Sequence, residues 1–200
     1  CFGTSSRTKS NAEKLCEALD VDFRIIDITE AVRIHLENIG HDAMTADAAY
    51  ENAQARERTQ VLMDLANMEN GLVVGTGDLS ESALGWCTFN GDHMSMYNVN
   101  CSLPKTFLRA AVTDYAENCG NEALGEVLRD VVATPISPEL KPTENDEISQ
   151  KTEDIIGPYD VHDFLLFHFV RDGYDLRKLL YIAGQVFRGS YSDEQLESWV

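Results

Sequence analysis

The chain has 200 residues, with 34 acidic against 16 basic side chains, a net charge of −18, and 44% apolar content. That balance suits a globular core of ordinary proportions. With no basic stripe to neutralise a phosphate backbone, DNA and RNA are not expected partners. A nucleotide is still within reach of an acidic protein, through a few placed cations, Mg2+ and backbone donors.

The chain opens on Cys1-Phe2-Gly3-Thr4-Ser5-Ser6, with no initiator Met and no preceding strand. Thr8 or Ser10 can cap a helix through Asn11–Leu19, with Ala12, Leu15, Cys16 and Leu19 on one stripe. Asp22–Ile28 is rich in β-branched residues and predicts a strand. Thr29 then caps a helix carrying Ala31, Val32, Ile34 and Leu36, which Gly40 ends. Tyr50–Met68 predicts a long amphipathic helix with Leu62, Leu65 and Ala66 on its apolar side. The run Leu72-Val73-Val74-Gly75 has no polar alternation and predicts a strand buried on both faces. It breaks into Thr76-Gly77-Asp78-Leu79-Ser80-Glu81, a turn followed by an Asp-x-x-Glu helix opening. Such a junction presents backbone donors at the carboxyl edge of a parallel sheet, where α/β proteins bind anions. Alternating strands and helices thus predict a parallel sheet flanked by helices.

The second half changes character. Pro104 opens a helix through Asn118, Gly120 ends it, and another helix follows over Glu122–Val131. Thr134–Gln150 holds three prolines and predicts a loop. Helices over His162–Arg171, Tyr174–Phe187 and Ser192–Val200 make a helical C-terminal part. The last of them reaches Val200 without a C-cap, so both ends read as cut.

The five cysteines, Cys1, Cys16, Cys87, Cys101 and Cys119, form no C-x-x-C pair and are odd in number. Reduced thiols in a cytoplasmic protein are expected. No apolar stretch reaches membrane-spanning length and no signal peptide is visible.

Candidate site residues each carry a chemical and a structural reading. Thr76 is placed to donate its hydroxyl, and Glu81 either holds Mg2+ or reciprocates Asp78 in a capping box. Asn52 and Arg56, four apart on one helix face, either clamp a ligand or line a solvated face. Trp86 and Phe89 either flank a flat heterocycle or pack in the core. Lys105 stands in the first turn of its helix, where a cation opposes the dipole; it either meets a phosphate ligand that offsets the cost or is a solvent-exposed lysine that tolerates a small penalty. Asp92-His93 lacks a third metal ligand, and His162 and His168 read as structural.

Together, Tyr50–Arg58, Gly71–Gly85, Thr88, Gly91-Asp92, Met94-Ser95, Tyr97–Asn100, Leu103–Thr106, Thr134–Leu140 and Gly157-Pro158-Tyr159 resemble the synthetase domain of NAD+ synthetases, particularly the glutamine-dependent type. The likeness runs in order over almost the whole chain. It implies the fold of the N-type ATP pyrophosphatases (adenine nucleotide alpha hydrolase-like) and a single, partial synthetase domain over residues 1–200. The implied reaction adenylates the carboxylate of deamido-NAD with ATP, releases pyrophosphate, and passes the acyl group to ammonia. By the same resemblance Thr76, Lys105 and Ser137 contact ATP, and Glu81 serves Mg2+ or deamido-NAD. Asn52, Arg56 and the Trp86-Cys87-Thr88-Phe89 run would hold deamido-NAD. Phe89 stands where ammonia-dependent relatives carry a lysine, and Met96 where they carry an acidic ligand; neither charge contact carries over. The family's Ser-Gly-Gly-x-Asp-Ser phosphate loop is expected upstream of Cys1, and its Lys- and Pro-rich closing segment beyond Val200. A glutamine amidase domain of the parent chain and a homo-dimer partner are implied as well. The 200 residues alone are expected to be inactive. The rival expectation is a non-catalytic nucleotide-binding or assembly module of the same fold.

Overall fold

A computed structural model describes residues 6–42, 45–134 and 152–200. Helix α1 (Ser6–Ala18) starts about a turn before its expected first residue. It docks on α6 (Glu122–Ala133) through the Arg7–Asp130 ion pair and a 2.6 Å bond from Asn11 Nδ2 to Asp130 Oδ2. Those two donors hold the Asp130 carboxyl down to about 2. Helix α2 (Thr29–Asn38) begins at Thr29 itself, and the side-chain acceptor is Asp27, which takes the Thr29 N–H at 2.9 Å. Helix α3 (Ala48–Met68) is capped by Asp47, which accepts from Ala49 and Tyr50. Ile28, Val32 and Leu36 pack against Tyr50 and Ala53 as one core cluster. Of the residues expected on the apolar side of α3, Ala66 is buried, Leu65 half-buried and Leu62 exposed.

The predicted strand over Asp22–Ile28 is not formed. Phe23, Ile25 and Ile26 lie exposed, and among the described residues no strand pairs with them. A β-branched run becomes a strand only when a neighbour takes its backbone groups. Strand β1 keeps just Val74–Gly75 of the expected Leu72–Gly75. It pairs in parallel with β2 (Tyr97–Asn98), Val74 opposite Tyr97 and Gly75 opposite Asn98. Leu72 and Val74 are more than half exposed, so burial on both faces is not found. The parallel pairing itself is as expected, and the crossover between the strands is α4 (Leu79–Leu84) with the loop behind it.

Helix α5 (Lys105–Asn118) starts after Pro104 and packs on α6, which lies between α1 and α5. Beyond α7 (Thr152–Ile156), helices α8 (Tyr159–Val170), α9 (Leu176–Val186) and α10 (Asp193–Trp199) bury Val161, Leu165, Leu179, Ala183 and Leu196 together. Ser192 and Gln195 form a full capping box at the start of α10. Helix α8 also touches α4 and α5, so it joins the helical C-terminal cluster to the strand–turn–helix region. The loop over Thr134–Gln150, apart from its first residue, lies outside the described residues.

Gly157, between α7 and α8, has φ +93 and lies under the Trp199 indole. A Cβ there would stand 2.6 Å from Trp199 Nε1. Gly157→Ala is therefore expected to cost about 2–4 kcal/mol, through backbone strain and overpacking together. Denaturant midpoints followed by tryptophan fluorescence measure this, and an unchanged midpoint would contradict it.

Candidate functional site

The turn after β1 leads into Asp78, the N-cap of α4. Asp78 Oδ1 accepts the Glu81 N–H at 2.8 Å, and Glu81 Oε2 accepts the Asp78 N–H at 3.3 Å. The capping box is therefore complete. It does not exhaust either carboxylate. Lys105 Nζ lies 2.7 Å from Asp78 Oδ2 and 2.8 Å from Glu81 Oε1. Its ammonium also sits 5.2 Å from the centre of the Tyr159 ring. The lysine side chain is only 14% exposed and Asp78 only 3%. Burial pulls the Lys105 ammonium toward losing its proton, but the bonds from Asp78 and Glu81 outweigh it and leave its pKa raised. A cation at the positive end of α5 is thus stabilised by two carboxylates of α4.

Four backbone donors in the first turns of α4 and α5 are taken by protein groups. Leu79 N–H goes to Leu103 O at 3.0 Å and Glu81 N–H to Asp78. Lys105 N–H goes to Ser80 Oγ at 2.9 Å, and Thr106 N–H to Asp163 Oδ2 at 2.8 Å. The Thr76 side chain is exposed. Tyr159 is buried, and its hydroxyl has no hydrogen-bond partner among the described residues. Its own burial, with Glu81 and Asp78 adding to it, pushes the phenol well above its ordinary range.

The loop from α4 to β2 carries the second set of candidates. Trp86 follows directly on α4, its N–H bound to Glu81 O at 2.9 Å. Thr88 Oγ1 donates to Asn52 Oδ1 at 3.0 Å, and Arg56 Nε donates to Phe89 O at 3.3 Å. Asn52 and Arg56 do share a face of α3, as their spacing predicts, and that face holds this loop. Gly91 fits tightly against α3, since a Cβ there would stand 3.0 Å from the Ala55 Cβ. Asp92 Oδ1 accepts the Thr88 N–H at 2.6 Å and His93 Nδ1 donates to Thr88 O at 2.7 Å. Asp92 and His93 therefore shape the loop. The Phe89 ring stacks on His93 and is otherwise exposed. Burial, then the charges of Asp92 and Glu81, push the Cys87 thiol up, away from the nucleophilic thiolate. His162 and His168 are structural, bound to Ile156 O at 2.5 Å and to Asp172 Oδ2 at 2.6 Å.

Ser137 lies outside the described residues. Among the described residues no three His, Cys, Asp or Glu side chains form a ready-made metal cluster. Two clefts elsewhere, between α9 and α10 and between α1 and α6, are lined by none of the candidates. No described helix is long and apolar enough to cross a membrane. Sequence reasoning assigned no role to Ser80 or Asp163. The available signal was a carboxylate set among Val161, Phe164 and Leu165, which is costly to bury unless it is bonded.

With this geometry in place, comparison with known proteins is informative. The NAD synthase family profile matches residues 3–175. A glutamine-dependent NAD+ synthetase of Mycobacterium leprae is 40% identical over 99% of this chain. The chain spans 29% of that relative's length. A glutamine-dependent NAD+ synthetase from Cytophaga hutchinsonii superposes with a TM-score of 0.73 at 18% identity, over 98% of this chain and 31% of its own. The corresponding enzyme from Acinetobacter baumannii, solved in complex with adenosine diphosphate, gives 0.58 at 21% identity, over 98% and 32%. The fold is that of these synthetases, a parallel sheet flanked by helices. By the reach of the profile over its length, the chain belongs to the NAD synthase family.

Proposed function

We propose that the full-length protein carrying this chain is a ligase that makes NAD+ from deamido-NAD, ATP and ammonia. The observation that carries this reading is the seating of Lys105 against Asp78 and Glu81, on the helix opening that follows the exposed Thr76 in the chain. In the proposed reaction a nicotinate carboxylate oxygen attacks the α-phosphorus of ATP and the bond to pyrophosphate breaks. Ammonia then attacks the acyl carbon, AMP departs and a proton is lost. Charge grows on the leaving phosphate oxygens, and an ammonium placed beside them stabilises it. Lys105, Thr76 and Ser137 are assigned to ATP. Asn52, Arg56 and Trp86–Phe89 are assigned to deamido-NAD.

Glu81 fits Mg2+, which commonly takes one or two protein carboxylates and fills its remaining positions with water and phosphate oxygens. When bound, the ion neutralises phosphate charge. Glu81 is one of two carboxylates holding Lys105, so a cation there would free one of the ammonium's donors for phosphate. Asp78, bonded to Lys105 and the Glu81 N–H, keeps the lysine in place meanwhile. Ammonia is expected from glutamine through an amidase domain of the full protein.

The assay is NAD+ formation from deamido-NAD, ATP, Mg2+ and ammonia. The full-length protein is expected to turn over and the 200-residue chain to stay at background. No product from the full-length protein would overturn the ligase assignment. A specific observation favours the non-catalytic module as second reading: Asn52, Arg56 and Glu81 all have structural partners already. Titration calorimetry separates the two, because unchanged binding of deamido-NAD and Mg·ATP in Arg56→Ala and Glu81→Gln would select the module.

A further inference from the structure

Asp163 is a buried carboxylate on α8, more than fifty residues beyond Lys105 in the chain. Its Oδ2 accepts both the Thr106 N–H at 2.8 Å and the Thr106 hydroxyl at 2.7 Å. Its Oδ1 accepts the Ser80 hydroxyl, and Ser80 Oγ in turn accepts the Lys105 N–H at 2.9 Å. One carboxylate thus ties the first turn of α5 to the first turn of α4. Pro104, the N-cap of α5, offers no side-chain cap, so these orphan N–H groups depend on Ser80 and Asp163. On the same helix, one turn earlier, Tyr159 lays its ring beside the Lys105 ammonium.

We propose that Asp163 is a positioning residue of the nucleotide site. It holds Lys105 and Glu81 at a fixed separation by clamping α5 to α4. This rests on the ligase reading for its kinetic consequence, though not for the clamp itself. Burying a carboxylate is unfavourable unless hydrogen bonds compensate, and here three donors converge on it. The hydroxyl of Ser80 relays the clamp to the backbone of Lys105. An amide at position 163 cannot accept from both sides, because one of its two ends is a donor.

The test uses the full-length protein. Asp163→Asn is expected to raise KM for Mg·ATP about tenfold and leave KM for deamido-NAD within about twofold. Independently of turnover, acetic anhydride should acylate Lys105 about fivefold faster in this variant, followed by mass spectrometry, because a frayed first turn exposes the amine. Val161→Ala, which opens the C-terminal core of the same helix, controls for simple destabilisation and should reproduce neither change. If Asp163→Asn does not fold, Ser80→Ala decides by the same two readouts, in the same direction. Both KM values rising together, neither readout moving, or Val161→Ala giving the same pattern would overturn the proposal. Should the wild type make no NAD+, the ligase reading fails, and the acylation rates alone judge the clamp.

Discussion

Lys105→Ala is expected to lower NAD+ formation by the full-length protein about 10²–10³-fold, the cost typical of a lost transition-state charge contact. The same change is expected to destabilise the fold by about 3 kcal/mol. Asp78, at 3% exposure, would lose the cation that compensates its burial, and would face Glu81 with no charge between them. Alanine also removes the methylene stem beside Tyr159. Steady-state kinetics and urea unfolding give the two numbers separately. Loss of stability with full activity would make Lys105 a purely structural residue and remove the main support for the ATP assignment. The pH dependence has a definite sign. The folded-state pKa of Lys105 lies above its ordinary 10.5, so its contribution is complete below that pH and fades only as pH rises through the folded value.

Glu81→Gln separates cap from metal site. Glutamine keeps the length of the side chain but only one accepting oxygen, so it can serve the Asp78 N–H or the Lys105 ammonium, not both. Stability should fall by about 1–2 kcal/mol, because Lys105 loses one of its two carboxylates. The charge is lost, and with it the affinity for a hard cation. NAD+ formation is expected to fall about 100-fold, with the Mg2+ concentration for half-maximal rate displaced upward. Rates measured across a Mg2+ series at fixed ATP test this. An unaltered Mg2+ dependence would leave Glu81 as a helix cap alone.

Much of the architecture was legible because it depends on local chemistry. Gly40 and Gly120 close their helices where expected, and Pro104 and Ser192 stand at the starts of α5 and α10. The parallel pairing was implied by the strand–turn–helix order around Thr76. The strand over Asp22–Ile28 failed because pairing is a tertiary event, and no described neighbour supplies the other half of the ladder. Spacing brought Asn52 and Arg56 to one face, but could not reveal that the Thr88–Phe89 loop occupies it. The compensation of Lys105 was half visible. A phosphate ligand was expected to offset the lysine's position, and the anions found beside it are the Asp78 and Glu81 carboxylates, 27 and 24 residues earlier in the chain. Asp163 was invisible to any local pattern, since its partners lie 57 and 83 residues away.

The parallel ladder spans two residues on each strand, whereas the clamp at Asp163 gathers α4, α5 and α8. Rigidity at this edge therefore originates in a knot of side chains and only secondarily in the sheet. Thermal agitation that frays the strands would leave the lysine's seat intact until α8 itself lets go, which couples the site's integrity to the far helical end of the molecule.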